Sequence, residues 1–140
     1  MSWLYNGTIL DGTEDFLNEY KAFVYVIRNI QNGKSYYGKK RLRFTSHKRK
    51  KGRKNRIKVI KPSDWMTYWG SSDNLKYDIE KYGLDAFGRE ILKFCKSHSE
   101  ASYYELKAQM DNDVLLYPEK YYNAYVGGRI SRGQLGIKEK

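Results

Sequence analysis

The stretch FVYVIRNIQNGKSYYGKK, residues 23–40, decides the fold. Two runs of β-branched and aromatic residues flank Asn32-Gly33, and an Asn-Gly pair between such runs is the strongest short-range signal of a β-hairpin. With Asn32 and Gly33 as the two central turn residues, Gly38 pairs with Ile27. The stretch therefore predicts two antiparallel strands joined by a tight turn.

One face of this predicted hairpin collects chemically useful side chains. Directly paired residues of an antiparallel ladder lie on the same face, and so do alternate residues of each strand. The shared face holds Tyr25, Ile27, Asn29, Tyr36, Gly38 and Lys40. Two phenols and an ammonium group thus surround a glycine, which leaves room for a ligand. The plain alternative is that tyrosines suit strands and that Gly38 marks a bulge.

The hairpin runs directly into a basic segment, residues 39–61. It holds 13 Lys and Arg and no acid, whereas the whole 140-residue chain has a net charge of +11, so the other residues carry a net −2. A polyanion is the expected partner, because each Lys or Arg that meets a phosphate releases counterions. A solvated loop or a localisation signal is the alternative. Gly52, Lys54 and Asn55 favour a loop over residues 41–63.

Further elements follow and precede this segment. Ser71-Ser72-Asp73 predicts the start of a helix that ends at Gly83, and Ser97 predicts the start of a second helix that runs to about Asp111. The apolar run over 87–94 predicts a strand beside the hairpin. A short helix over 13–20, short helical or extended pieces at 114–116 and 121–123, and a flexible basic tail over 127–140 complete the prediction. The expected fold is a single α/β (α+β) domain, residues 1–140, with a small three-stranded antiparallel sheet flanked by helices.

Composition excludes several other classes. A mean hydropathy of −0.83 and the lack of a long apolar run argue against a membrane span, and the N-terminus lacks the pattern of a secretory signal. The single cysteine, Cys95, cannot form an internal disulfide, which is typical of a reducing compartment. We therefore expect a soluble protein of the cytoplasm with no membrane partner.

Five short motifs occur in a suggestive order. They are Phe23-Val24-Tyr25, Tyr36-Tyr37-Gly38 with Asn32-Gly33 between them, KYGLDAFGREIL over 81–92, YYELK with Glu105, and YYN with Asn123. In order and spacing they resemble the GIY-YIG endonucleases over residues 22–125, and the basic loop followed by SDWxxYWGSS is similar to small phage-encoded members. Phe23 stands where the family has glycine, which implies a less constrained backbone there.

The resemblance implies a site and a chemistry. Tyr25 or Tyr36 would position or deprotonate the attacking water, and Glu105 would hold one divalent ion, Mg²⁺ or another such as Mn²⁺. Asn123 would order the site by hydrogen bonding. The catalytic basic role falls to Lys40 or Arg43, with Arg41 and Arg49 in competition. The residues expected to contact DNA are Lys39, Arg41, His47, Lys48, Arg49, Lys50, Lys51, Arg53, Lys54 and Arg56.

Several of these residues also have ordinary structural interpretations. Glu105 follows Ser102 by three positions and could be its partner in a capping box. Asn123 could cap or turn the chain, and His47 could be a solvated loop histidine. Trp65 and Trp69 are more typical of a core than of base stacking.

The leading hypothesis is a metal-dependent endonuclease that hydrolyses double-stranded DNA, either homing-like or DNA-degrading. If it is phage-encoded, it would act in the host cell cytoplasm, as a monomer or a homodimer. The alternatives are a nucleic-acid-binding protein that kept the fold without catalysis, and an RNA-directed nuclease.

Overall fold

A computed structural model describes residues 2–49, 51–52, 56–127 and 130–138. The strands are β1 (Trp3–Tyr5), β2 (Thr8–Leu10), β3 (Ala22–Asn29), β4 (Ser35–Arg41), β5 (Arg43–Arg49), β6 (Arg56–Pro62), β7 (Phe87–Cys95), β8 (Tyr125–Val126) and β9 (Ile130–Ser131). The helices are α1 (Asp73–Tyr82) and α2 (His98–Asp111), and 3₁₀ helices span Asp15–Glu19, Trp65–Thr67, Leu84–Ala86 and Gly133–Leu135.

The main sheet has five strands in the order β2-β1-β7-β3-β4. The predicted hairpin β3-β4 and the predicted strand β7 form three adjacent antiparallel strands of it. The prediction of three strands was wrong because the N-terminal residues form a second hairpin, and its strand β1 pairs in parallel with β7. Both hairpin strands are only three residues long and give little periodicity in the sequence.

The predicted pairing of β3 with β4 was two positions off. Tyr25 pairs with Gly38, not with Lys40. The turn is longer than two residues because the Asn29 side chain accepts hydrogen bonds from the backbone N–H groups of Gln31 and Asn32, which holds the loop open. A shift of two keeps every side chain on its face, so the predicted face survives.

The basic segment is not a loop. β5 and β6 form a separate antiparallel hairpin of seven residues each. The β-branched residues Thr45, Ile57, Val59 and Ile60 favour strands, and Lys51 and Gly52 form a turn after β5.

Both principal helices begin where they were predicted to. The Ser72 hydroxyl accepts the Leu75 N–H at 3.3 Å, and Gly83, with a φ of 85°, ends α1. At α2 the Ser97 hydroxyl accepts the Glu100 N–H at 3.0 Å. The capping pair of α2 is therefore Ser97 with Glu100, and the capping interpretation of Glu105 was wrong.

The two ends of the chain depart from expectation. Within residues 13–20 the helix is a 3₁₀ helix over Asp15–Glu19, and before it the Asp11 carboxylate accepts the Thr13 N–H at 2.8 Å. In the described part of 127–140, the Arg132 side chain is buried and donates to the carbonyl oxygens of Val114 and Leu115.

The sheet has a core on each side. On one face Trp3, Phe23 and Tyr25 pack with Leu75 of α1 and with Trp65, so that this tryptophan is a core residue as predicted. On the other face Val24 and Cys95 pack against α2. Phe23, in place of a glycine, fills the larger core and touches Trp3 and Trp65 edge-on. Among the described residues, no helix is long and apolar enough to cross a membrane.

Candidate functional site

The candidate site is a cleft at the outer edge of β4. A cavity of about 520 Å³ opens there between β4, the start of α1, helix α2 and the segment that follows residue 122. Its lining combines Tyr36 and Lys39 of β4, Ser71, Ser72, Asp73 and Asn74 before and at the start of α1, Glu105 and Gln109 of α2, and residues 123–125 with Gly127. Because β4 is the last strand of the sheet, side chains from both of its faces reach the same cleft.

Two tyrosines are packed together beneath this cleft. The rings of Tyr25 and Tyr36 lie 6.2 Å apart, and Tyr25 is only 1% exposed. A Cβ atom at Gly38 would lie 2.4 Å from the Tyr25 hydroxyl, so only glycine leaves that hydroxyl its place. Gly70, with a φ of 84°, packs against the two tyrosines from the other side. A Cβ atom at Gly70 would lie 3.4 Å from the Tyr36 ring. The glycine in the predicted face therefore accommodates a tyrosine of the protein itself.

The Tyr36 hydroxyl is the one that faces the cleft. It lies 3.5 Å from the Ser71 hydroxyl, the residue that precedes the N-cap of α1. Burial raises the pKa of Tyr36, and the nearby Tyr68 and the charge of Glu105 raise it further against the lowering effect of Ser71. Burial raises the pKa of Tyr25 well above its usual range, and the electrostatic effect of the neighbouring Tyr36 raises it further. Both phenols are therefore protonated at neutral pH.

Glu105 approaches the cleft from the other side of β4. Its carboxylate lies 3.9 Å from the Lys39 ammonium, and that ammonium donates to the Ser102 hydroxyl at 2.6 Å. Burial raises the pKa of Glu105, and Lys39 opposes the rise. The carboxylate is thus a partly desolvated anion with one cation nearby.

Two amide side chains hold the edge of β4 in place. Asn123 accepts the Tyr37 N–H at 3.0 Å and donates to the Tyr37 carbonyl at 2.8 Å, so its amide pairs with the strand as another strand would. Gln109 also donates to the Tyr37 carbonyl, at 3.2 Å. The backbone of Ser35 forms hydrogen bonds with Lys120 and Tyr122, which directly precede Asn123 in the chain. Asn123 therefore orders the cleft, and its side chain does not merely cap a turn.

The residues of the cleft fit a single divalent cation. Glu105 offers a carboxylate, and Gln109 lies one helical turn further along α2 with a buried side-chain oxygen that has no hydrogen-bond partner among the residues described. Such oxygen ligands suit Mg²⁺ or Mn²⁺, which retain waters when one carboxylate binds them. Within the described ranges, no group of three or more His, Cys, Asp or Glu forms a closed metal cage.

The basic residues next to the cleft differ in how they are held. The Lys40 ammonium pairs with Asp64 at 2.6 Å and lies 4.1 Å from the centre of the Tyr68 ring. The Arg43 guanidinium donates to the backbone carbonyls of Tyr20 and, at 3.0 Å, of Leu17. Both candidates for the catalytic basic role are thus engaged in holding the fold.

Arg41 is more exposed and lies on the same face of β4 as Lys39. Its Nε donates to His98 Nδ1 at 3.3 Å. Partial burial lowers the pKa of His98, and the charges of Arg41 and Lys39 lower it further, so this histidine is a neutral acceptor.

The remaining candidates for DNA contact lie on or near the basic hairpin. His47 and Lys51 are exposed, and Lys48, Arg49 and Arg56 belong to strands β5 and β6. Lys50, Arg53 and Lys54 lie outside the described residues.

Sequence reasoning missed part of the cleft. Lys39 was assigned to DNA binding alone, because alternation along β4 puts it on the face opposite Tyr36. Gln109 was overlooked, although its spacing of four from Glu105 on a helix is a readable signal. Ser71 was predicted only as part of a helix start.

Comparison with known proteins places the chain in a family. A family model described as "Putative endonuclease segE, GIY-YIG domain" matches residues 3–126. The chain is 33% identical over 109 residues to "Putative endonuclease segD" of Enterobacteria phage T4. The matched region covers 78% of this chain and 40% of that protein. It is 32% identical over 106 residues to "Putative endonuclease segE" of the same phage, covering 76% of this chain and 42% of that protein.

The chain thus spans about two fifths of the length of these curated relatives. No solved structure matches it significantly.

Proposed function

Because the chain belongs to the GIY-YIG endonuclease family of the segE type, we propose that it hydrolyses phosphodiester bonds of double-stranded DNA in the cleft at the β4 edge. One observation carries this proposal. A phenol, an ammonium and a carboxylate meet in one cavity: Tyr36 and Lys39 reach it from opposite faces of β4, and Glu105 reaches it from helix α2. Since relatives are phage proteins, the proposed setting is the cytoplasm of an infected cell.

Each of these groups has a task in the proposed reaction. The Tyr36 phenol, protonated at neutral pH because burial raises its pKa, orients the attacking water by hydrogen bonding. Lys39 and Arg41 stabilise negative charge that develops on the phosphate. Tyr25 fixes the ring of Tyr36 from below and is a positioning residue.

Glu105 would hold a divalent ion, with the Gln109 amide oxygen one turn away on the same helix. Such an ion supplies a Lewis acid that polarises a phosphoryl oxygen and activates bound water. Lys39 neutralises the carboxylate in the absence of an ion, because its ammonium lies 3.9 Å away.

The assignment of Lys39 and Arg41 follows from what the other cations do. Lys40 and Arg43 are held by Asp64 and by backbone carbonyls, so moving either toward a phosphate would break a contact of the fold. Lys39 donates to Ser102 and Arg41 donates to His98, both on helix α2, and the two cations lie on the same face of β4, with Lys39 lining the cleft.

A nicking assay on supercoiled plasmid DNA with Mg²⁺, with Mn²⁺ and with a chelator tests this proposal. Glu105→Gln should lower the rate by about a thousandfold or more, because a metal ligand of this kind supplies several kcal/mol. Tyr36→Phe should lower it by about a hundredfold. Glu80→Gln and Tyr103→Phe are matched controls, since both side chains are exposed on the helices, and they should leave the rate unchanged.

The alternatives give different results in the same assay. DNA binding with no metal-dependent nicking would contradict the proposal and favour a binding protein without catalysis. Faster cleavage of an RNA duplex than of the matched DNA duplex would favour an RNA-directed nuclease.

A further inference from the structure

The basic hairpin is a free-standing two-stranded structure. This ribbon consists of β5 and β6, Arg43–Arg49 and Arg56–Pro62. Within the described ranges its strands pair only with each other and not with the five-stranded sheet. Exposed side chains occur on both of its faces, and Thr45, His47, Lys58 and Ile60 are exposed on one of them.

The base of the ribbon, in contrast, is fixed firmly to the body. Leu42 is 3% exposed, and its N–H donates to the Lys21 carbonyl at 2.9 Å. The Ser63 N–H donates to the Leu42 carbonyl at 3.0 Å, and Arg43 donates to two carbonyls near the 3₁₀ helix Asp15–Glu19. These contacts attach the base of the ribbon to the body of the protein.

The dimensions of the ribbon suit one nucleic-acid groove. Two strands lie about 5 Å apart, and seven residues extend about 23 Å. The major groove of B-form DNA is about 12 Å wide and admits a two-stranded ribbon, whereas the minor groove of about 6 Å does not.

The side chains on one face suit base edges better than phosphates. The register pairs Thr45 with Ile60 and His47 with Lys58, and all four side chains are exposed. An aliphatic side chain and a threonine methyl contact the thymine methyl group, and lysine donates to guanine in the same groove. Ile60 is 56% exposed, and an aliphatic side chain contributes nothing to phosphate binding.

The opposite face is less suited to this task. It holds the pairs Ser46 with Val59 and Phe44 with Lys61, and Val59 is partly buried. Lys40 lies 5.9 Å from the centre of the Phe44 ring, which ties this face toward the body.

We propose that the ribbon enters the major groove of duplex DNA and that the face with Thr45, His47, Lys58 and Ile60 reads base edges. Only Leu42 separates β4 from β5, so seating the ribbon in the groove sets which phosphate meets the cleft. Sequence preference then resides in the ribbon and bond cleavage in the cleft. This inference rests on the proposed action on DNA.

Binding measurements in a Glu105→Gln background test it, because cleavage then does not interfere. The protein is used to select from random 20-base-pair duplexes, and affinities for the selected duplex and a scrambled one are compared over a range of salt concentrations. The unmodified ribbon should prefer the selected duplex, and Thr45→Ala with Ile60→Ala should reduce that preference by about tenfold or more while leaving the salt dependence unchanged.

A matched pair on the other face provides the control. Ser46→Ala with Val59→Ala should keep the preference. Methylation of guanine N7, which lies in the major groove, should interfere with binding to the selected duplex. The inference is overturned if the starting protein selects no sequence, if both double variants lose preference equally, or if N7 methylation has no effect.

An RNA arm tests the choice of nucleic acid. The major groove of A-form RNA is too narrow for side chains to read, so the matched RNA duplex should bind at least about tenfold more weakly. Equal binding of RNA would also overturn the inference. Failure of the nuclease proposal looks different, because it shows up as absent nicking while the binding pattern of the ribbon variants is retained.

Discussion

The cleft and the ribbon both carry charged side chains, but these side chains differ in burial and in contacts. In the cleft, Lys39 and Glu105 come from elements more than sixty residues apart, are partly buried and have named partners. In the ribbon, the described side chains His47, Lys58 and Lys61 come from one acid-free run and are exposed. The two regions meet at β4, whose last residue is separated from β5 by a single leucine.

This difference explains why charge density alone does not locate the chemistry. Burial around Glu105 and Tyr36 raises the pKa of each, and burial of this kind needs surrounding structure. An exposed ribbon attracts phosphates at long range. Changes to the cleft should therefore alter catalysis, and changes to the ribbon should alter binding.

The largest effect should come from filling the space under the tyrosines. Gly38→Ala places a methyl group against the Tyr25 hydroxyl, and we expect about 3 kcal/mol lower unfolding free energy and at least about a hundredfold slower cleavage. Gly88→Ala in β7 is the matched control, because no atom lies within 4 Å of its ideal Cβ, and it should change stability by under about 1 kcal/mol. Urea unfolding and plasmid nicking measure both effects, and equal losses in the two variants would contradict this account.

Cutting the link between ribbon and body should have the next largest effect. Arg43→Lys keeps the charge but cannot donate to the carbonyls of Leu17 and Tyr20 as a fork, so unfolding free energy should fall by about 2 kcal/mol. Arg41→Lys, the same change two positions earlier on an exposed side chain, should cost under about 0.5 kcal/mol. Urea unfolding curves compare the two variants. A larger loss of unfolding free energy for Arg41→Lys than for Arg43→Lys would contradict the assignment of Arg43 to holding the fold and of Arg41 to contacting phosphate.

Neutralising the ribbon should leave the cleft intact. Lys58→Gln with Lys61→Gln should weaken DNA binding by roughly tenfold and reduce the slope of log affinity against log salt by about 1.8. Thermal stability and cleavage at saturating protein should stay as they were, because neither ammonium contacts the cleft. An unchanged salt slope would show that these lysines are solvated and touch no phosphate.

Acidity should lower cleavage in the cleft. The pKa of Glu105 is raised, so its proton competes with a metal ion as the pH falls through that raised value, and cleavage should fall by up to about tenfold per pH unit. The fold itself should lose a little stability as the pH rises from the ordinary glutamate range to the raised pKa, because the unfolded chain ionises first. Glu105→Gln should abolish this stability change.

Much of the framework was readable from local patterns. The hairpin of residues 23–40, the helix starts at Ser72 and Ser97 and the strand over 87–95 all follow from short-range signals, and the predicted face with Tyr25 and Tyr36 survived a register error because side-chain parity repeats every two residues. The three-residue strands β1 and β2 were missed because so short a run has no detectable period.

The sequence by itself determined the two tyrosine motifs, the family resemblance and an acid-free basic segment, because each is written in consecutive residues. Only the tertiary structure decided that this segment is a ribbon and that Lys39 meets Glu105 across the edge of β4. Alternation along a strand assigns Lys39 and Tyr36 to opposite faces, and they share a cleft because β4 is the last strand of its sheet. Which strand is last depends on long-range pairing, and no local pattern in the chain records it.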